Sequence, residues 1–439
     1  MILCTRRALW CGLALAGLGL LGPVLPWALD AMLLADAVLL AAILFDAGRA
    51  PVPGVDGLAV ERDAPPACTV GHSIDIQYRW RNGAARAAHL RVREIRPDIL
   101  GGPSDVRAVR IAARAGTVER VSVAPVRRGR AEGGAFAVDS VGPLGLGLRR
   151  LRIDVPWEVR VYPALGARRL RASVAQALRR RESGRYPVRR LGEGRLFESL
   201  REWVPGDDPR HVDWKATARR GKRITRQFEA ERRQQVLLIL DAGRLLTAEV
   251  AGTSRMEFVV QAALALAHAA VQHDDNVGIM VFADGVQHFV GPQRGRAGLK
   301  RVLDVLTEVS ARLVEPDYPG AFRYLAVRNR KRALTVVFTD VVDRLASEAL
   351  VANVARLRPR HLPVAVTLRN PGLDAAAAVR PVSRDDAYRK AAAENLLQSR
   401  EEALGSMRRA GVMVLDVPPE RAAEAVVRQY LELKRRGRL

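Results

Sequence analysis

The sequence predicts a multidomain chain: an N-terminal two-helix membrane hairpin, a β-sandwich-like domain, then an open, doubly wound α/β domain. Three observations predict it. The first 50 residues hold a nearly uncharged apolar stretch, the next hundred or so alternate with period two, and from Gln235 onward continuous apolar runs alternate with helical patterns. The boundaries expected are 1–50, 51–165, a basic connecting region at 166–235, and 236–439.

Ala8 to Leu29 contains no charged residue, and Ala31 to Phe45 is apolar apart from Asp36. Pro23 and Pro26 interrupt the run, which reads as two short spanning helices joined by a tight turn. Arg6, Arg7 and Arg49 flank the pair while the turn has no Lys or Arg, which places both ends in the cytoplasm. A cleaved signal peptide is the rival, with Ala35-Asp36-Ala37 as its small-x-small site, but that site lies too far behind the basic start. Gly17, Gly19 and Gly22 match G-x-G-x-x-G without a preceding strand, so they read as membrane-helix glycines.

In the second segment Ile74, Ile76, Tyr78 and Trp80 alternate with Asp75, Gln77, Arg79 and Arg81. Leu90 and Val92 alternate with arginines, as Trp157, Val159 and Val161 alternate with polar residues. Turn signals at Asn82-Gly83, Gly101-Gly102-Pro103, Gly133-Gly134 and Gly142-Pro143 separate the runs, the pattern of an antiparallel sandwich. His72 and His89 read as ordinary surface histidines.

The net charge of +24 is mostly arginine spread along the chain, but 168–233 carries 18 Arg and 2 Lys against 9 Asp and Glu. A dedicated nucleic-acid binder concentrates its charge on one face, so the overall balance alone does not define one. Cys4, Cys11 and Cys68 provide neither a disulfide framework nor a C-x-x-C zinc site. At the centre of the basic region stands Leu200-Arg-Glu-Trp-Val-Pro-Gly-Asp-Asp-Pro-Arg-His-Val-Asp-Trp-Lys-Ala-Thr-Ala-Arg219. Pro205-Gly206-Asp207-Asp208-Pro209 is turn chemistry, and Trp203 and Trp214 flank it as candidate buried anchors. As architecture or partner surface, Arg201, Arg210, Lys215 and Arg219 would pair with Glu202, Asp207, Asp208 and Asp213. As a metal-dependent hydrolase, Asp207, Asp208, His211 and Asp213 would supply acid, base or ligands. As a nucleic-acid surface, the arginines and tryptophans would hold phosphates and bases, a reading the interspersed carboxylates weaken.

Beyond Gln235, Val236 to Leu240 is a strand buried on both faces that ends at Asp241. Met256 to Val271 is a buried helix, Val277 to Phe282 the next strand, and Gly298 to Val309 a helix. Leu334 to Thr339 leads to Asp340, and Leu362–Leu368 and Val412–Val417 complete the sheet, with helices near Asp385–Arg409 and Arg421–Lys434. Two aspartates therefore stand at strand ends near the switch point.

The Leu200 to Arg219 stretch, with Phe228-Glu-Ala-Glu231 and the strand ending in Asp241, resembles the bacterial family known as domain of unknown function 58. Arg127-Arg-Gly-Arg130, Pro143-Leu-Gly-Leu146 and Val161-Tyr-Pro163 also fit its pattern. The resemblance implies a membrane hairpin, a β-rich region and a von Willebrand factor A-like domain, no established enzyme activity, and a MoxR-type AAA+ ATPase as partner. The von Willebrand fold's adhesion site reads Asp-x-Ser-x-Ser, whereas here Asp241-Ala-Gly-Arg-Leu245 lacks both hydroxyl ligands. Asp241 and Asp340 are the remaining candidate ligands, for at most a weakly held Mg²⁺; no other cofactor is expected. The expected function is a membrane-anchored, non-catalytic interaction protein that contacts lipid through its hairpin, acts with the ATPase and does not bind nucleic acid.

Overall fold

The computed structural model describes residues 1–20, 27–54, 57–164, 196–204, 209–229, 234–341 and 344–437. The chain divides into two compact units, Met1–Ala164 and Leu165–Leu439.

In the first unit β1 (Ile2–Cys4) leads into helix α1 (Arg6–Gly19), and α2 spans Trp27–Gly48. The 22 residues of α2 measure about 33 Å, enough to cross a bilayer, while the 14 of α1 reach about 21 Å. Only α2 among the described helices is both long and apolar enough to span. Among the described residues the apolar stretch therefore provides one helix of membrane length. Gly12 and Gly19 of α1 lie against Leu39 and Met32 of α2.

The strands that follow are β2 (Ala59–Asp63), β3 (Ala67–Thr69), β4 (Ile74–Arg81), β5 (Ala88–Ile95), β6 (Arg107–Ile111), β7 (Gly116–Val123), β8 (Gly129–Val141) and β9 (Gly147–Tyr162). One sheet runs β1-β9-β8-β5-β6, with β3 added parallel to β9, and the other runs β2-β4-β7. Ile76, Tyr78 and Trp80 of one sheet share a core with Leu90, Phe136 and Val159 of the other, as the period-two pattern predicts. Phe136 meets Tyr78 and Trp80 edge to face, each with ring centroids 5.1 Å apart. Inside this core Arg62 lies 3.1 Å from Glu94, whose Oε1 also accepts the Tyr78 hydroxyl, so the buried charge is both paired and hydrogen-bonded.

In the second unit β10 (Leu196–Glu202) and β11 (Ile224–Glu229) form an antiparallel pair, with α3 (Trp214–Arg220) between them in sequence. The main sheet holds β12 (Gln235–Asp241), β15 (Asn276–Phe282), β16 (Val286–Arg294), β17 (Leu334–Phe338), β18 (Leu362–Leu368) and β19 (Met413–Val417); β13 (Glu249–Val250) and β14 (Thr253–Ser254) make a small ribbon apart. Its order is β16-β15-β12-β17-β18-β19, parallel except for the antiparallel edge β16. Val236, Leu238 and Leu240 face a core built with α4 (Arg255–Gln272), α5 (Gly295–Glu308) and α10 (Ala422–Arg435). Leu237 and Ile239 face the opposite core, with α6 (Tyr318–Arg328), α7 (Arg344–Ala355) and α9 (Arg384–Arg409); α8 (Pro371–Ala378) follows β18. Helices thus cover both faces, and the chain crosses from one side of β12 to the other between β15 and β17.

Candidate functional site

The switch point lies where β12 and β17 end. Asp241 closes β12 and is 2% exposed. Its Oδ1 accepts the Gly243 amide at 2.8 Å, and its Oδ2 accepts the hydroxyls of Tyr318 and Thr339, each at 2.7 Å. Burial pushes the Asp241 carboxyl up from its ordinary range, against the pull of these three donors. Burial, reinforced by the Asp241 charge, raises the Tyr318 phenol as well. Arg244, beside Asp241 in sequence, pairs with Glu315 at 2.5 Å.

Asp340 follows β17 and is held from two sides. Arg255, at the start of α4, reaches its Oδ2 at 2.6 Å, and Arg400 of α9 donates to its Oδ1 at 2.8 Å. The Val341 amide also donates to Oδ1, at 2.9 Å. Arg400 uses its other terminal nitrogen on Asp416 of β19, at 2.8 Å, and on the Leu368 carbonyl, at 3.1 Å. Asp416 accepts further bonds from Thr367 at 2.8 Å and Arg369 at 3.0 Å. Burial lowers the Arg255 guanidinium from its ordinary value. Burial alone would raise Asp416, but the charge and hydrogen bonds of Arg400, with Thr367 and Arg369, hold it below the usual carboxylate range. A cavity of about 470 Å³ opens over this network, its wall completed by Asn370, Asp374 and Glu401 and by Leu373, Leu396 and Leu397.

The other candidate residues lie on the β10–α3–β11 segment. Pro205, Gly206, Asp207 and Asp208 lie outside the described residues, and so does the side chain of Arg210. Arg201 donates to the Glu202 carbonyl at 3.0 Å, and Glu202 pairs across the strands with Lys222 at 3.1 Å. Asp213 caps α3, accepting the Ala216 amide at 3.0 Å. Trp203 is half-buried with the Arg223 guanidinium 5.6 Å from its ring centre. Trp214 corrects the sequence reading: at 69% exposure it is no buried anchor, because it occupies the first turn of α3. Lys215 and Arg219 are exposed on the same helix.

Residues 199–415 match the family model described as protein of unknown function DUF58. The match takes in the Trp203–Trp214 segment, Asp241, Asp340 and Arg400. Uncharacterized proteins of Mycobacterium bovis and of Mycobacterium tuberculosis H37Rv are each 25% identical to this chain over 266 residues, covering 56% of it and 80% of the relative. Among solved structures, the CARDB domain of the PF1109 protein of Pyrococcus furiosus, crystallised in complex with di-metal ions, aligns with 24% of this chain and 86% of its own. Its identity is 17% and its TM-score 0.19. The C-terminal domain of wzt aligns with 24% of this chain and 71% of its own, at 12% identity and a TM-score of 0.18.

Within the DUF58 segment the sequence pointed to Asp241 and Asp340 but not to Arg255, Tyr318, Thr339 or Arg400, and Asp416 lies just beyond its matched end. Two signals were present: Arg255 heads a largely apolar helix, and Asp416 interrupts the apolar strand Met413–Val417. Both are charges placed where an element must bury itself, which demands a partner.

Proposed function

We propose that this chain is a membrane-anchored, non-catalytic interaction protein whose two units face the cytoplasm and whose α/β unit is a von Willebrand factor A-like domain. One observation carries the reading. At the sheet edge where such folds place reactive groups, Asp340 and Asp416 are tied to Arg255, Arg400 and Arg369 in one ion-pair network. A carboxylate held by two guanidiniums is a poor general base and a poor metal ligand, because both roles need its lone pairs. In this reading Arg255 and Arg400 take the place a divalent cation holds in an adhesion site. Asp241 and Asp340 then serve rigidity, not metal binding, and no cofactor is required.

The partner in this reading is a MoxR-type AAA+ ATPase, met by the charged β10–α3–β11 segment, where Lys215 and Arg219 stand exposed beside Trp214. The anchor is α2, with α1 beside it as a two-helix hairpin. Support comes from β1, which pairs with β9, because a protein cleaved near Ala37 would lose that edge strand. Copurification from mildly solubilised membranes, with and without ATP, tests the partner: capture of an AAA+ ATPase supports it and its absence under both conditions removes it. A fluorescent protein fused after Leu439 should glow and a fused alkaline phosphatase should be inactive; the opposite pair of results would reverse the topology.

A further inference from the structure

We propose that the end of the β-sandwich holding α2 is a docking surface for anionic phospholipid headgroups. The inference rests on α2 being a membrane anchor and adds to it a defined face of the sandwich pressed against the leaflet.

The joint between helix and sandwich comes first. Asp46, in the last turn of α2, is fully buried. Its Oδ1 accepts the Leu144 amide at 2.7 Å, and its Oδ2 accepts the amides of Leu146 and Gly147 at 2.8 and 2.9 Å. A Cβ at Gly142 or Gly147 would lie 2.3 Å from the carbonyl oxygen of Asp46 or Ile43, so the turn closes on the helix only because both are glycine. The start of α1 is fixed to the same turn: Thr5 donates its hydroxyl to the Gly145 carbonyl at 2.6 Å and its amide to Leu146 at 2.9 Å. Three charge-assisted bonds and a strand pairing leave no free swivel between α2 and the sandwich. The same end must therefore meet the bilayer each time α2 inserts.

That end is built from three turns. His89 pairs with Val141, which sets the 82–87 turn beside 142–147, and Asn82 and Arg114 bond the 112–115 turn to it, each at 3.0 Å. The exposed charges on these turns and on the adjoining helix ends are Arg6, Arg7, Arg49, Arg86 and Arg114. Among the described residues of these segments the sole carboxylate is the buried Asp46; Asp56 lies outside them. Leu144, at the tip of the turn, is 57% exposed. An exposed leucine on the same end as five exposed arginines, at the foot of a spanning helix, matches an anionic interface: the guanidiniums take phosphodiester oxygens and the leucine enters the acyl boundary.

The test reconstitutes the full chain into nanodiscs of phosphatidylcholine alone and of phosphatidylcholine with phosphatidylglycerol, and follows amide exchange. Exchange in 82–87, 112–115 and 142–147 is expected to slow about fivefold or more with phosphatidylglycerol, the weight of one surface-bound cation. The slowing should vanish at high salt and in Arg86→Glu with Arg114→Glu. Equal exchange in both discs, with the protein embedded, overturns the headgroup surface and leaves the anchor standing. Failure to enter either disc removes the anchor and this inference together. The comparison of lipids in the unaltered chain decides the matter even if the double variant misfolds.

Discussion

Arg400 lies 2.8 Å from Asp340, and the two side chains are 11% and 2% exposed. The same guanidinium spans to Asp416, so one residue of α9 ties the ends of β17 and β19 across the intervening β18. Removing it leaves two carboxylates withdrawn from water with part of their pairing gone. Arg400→Met should destabilise the α/β unit by about 3–5 kcal/mol. Arg369→Ala, which removes the half-exposed partner of Asp416, should cost no more than about 1 kcal/mol. Denaturant titration followed by exchange of the β12 and β17 amides measures both, and equal costs would dissolve the network's ranking.

Acid should loosen this unit through Asp416. Its folded carboxyl titrates below its unfolded value, so its contribution is complete above the unfolded pKa of about 3.9 and drains away as the pH falls through the folded one. Asp241 has the opposite sign: its raised carboxyl favours the fold at low pH, and that advantage goes as the pH rises through its folded value. Asp416→Asn should flatten the acid limb of the stability profile, whereas Asp241→Asn should not; an unchanged acid limb in Asp416→Asn contradicts the assignment.

The joint of the first unit predicts a different loss. Asp46→Ala leaves the buried Gly147 amide and the partly buried amides of Leu144 and Leu146 without this acceptor, at a cost of about 1–3 kcal/mol for the buried one and less for the two that water can reach. Gly147→Ala should do comparable damage by forcing a methyl into the α2 backbone. Limited proteolysis of the full chain in membranes should then cut near 142–147, where the unaltered chain resists.

Charge and bulk around the start of α3 should separate. On the partner reading proposed above, Arg210→Glu with Lys215→Glu should abolish capture of an AAA+ ATPase while unfolding stays nearly in place. Trp214→Ala should shift stability by no more than about 0.5 kcal/mol, because the ring is exposed. If Trp214→Ala unfolds the unit, the ring is buried in solution and the surface reading fails.

With guanidiniums on Asp340 and three donors on Asp241, the purified protein should bind Mg²⁺ or Mn²⁺ no tighter than roughly millimolar. Micromolar binding by calorimetry, lost in Asp241→Ala, would restore an adhesion-site mechanism.

The sequence by itself determined the elements whose periodicity is local. The alternation Ile74-Asp-Ile-Gln-Tyr-Arg-Trp-Arg81 is a strand in a sandwich, and Val236 to Leu240 is a strand covered twice, because burial on one face or two writes a period directly into the chain. It also placed Asp241 and Asp340 at strand ends, since each closes a continuous apolar run. What it missed were elements with mixed patterns: the antiparallel edge Val286–Arg294, partly buried along its length with no alternation until the exposed Arg294, and the helices at 318–328 and 344–355. Only the tertiary structure decided the partners. Arg255, Asp340, Arg400 and Asp416 are spread over more than 160 positions, and Asp46 meets amides 98 to 101 residues away. Pairing of this kind leaves no period in the sequence. It is set by which strand ends the sheet order brings side by side and by the cost of burying a charge alone, and both exist only once the chain has folded.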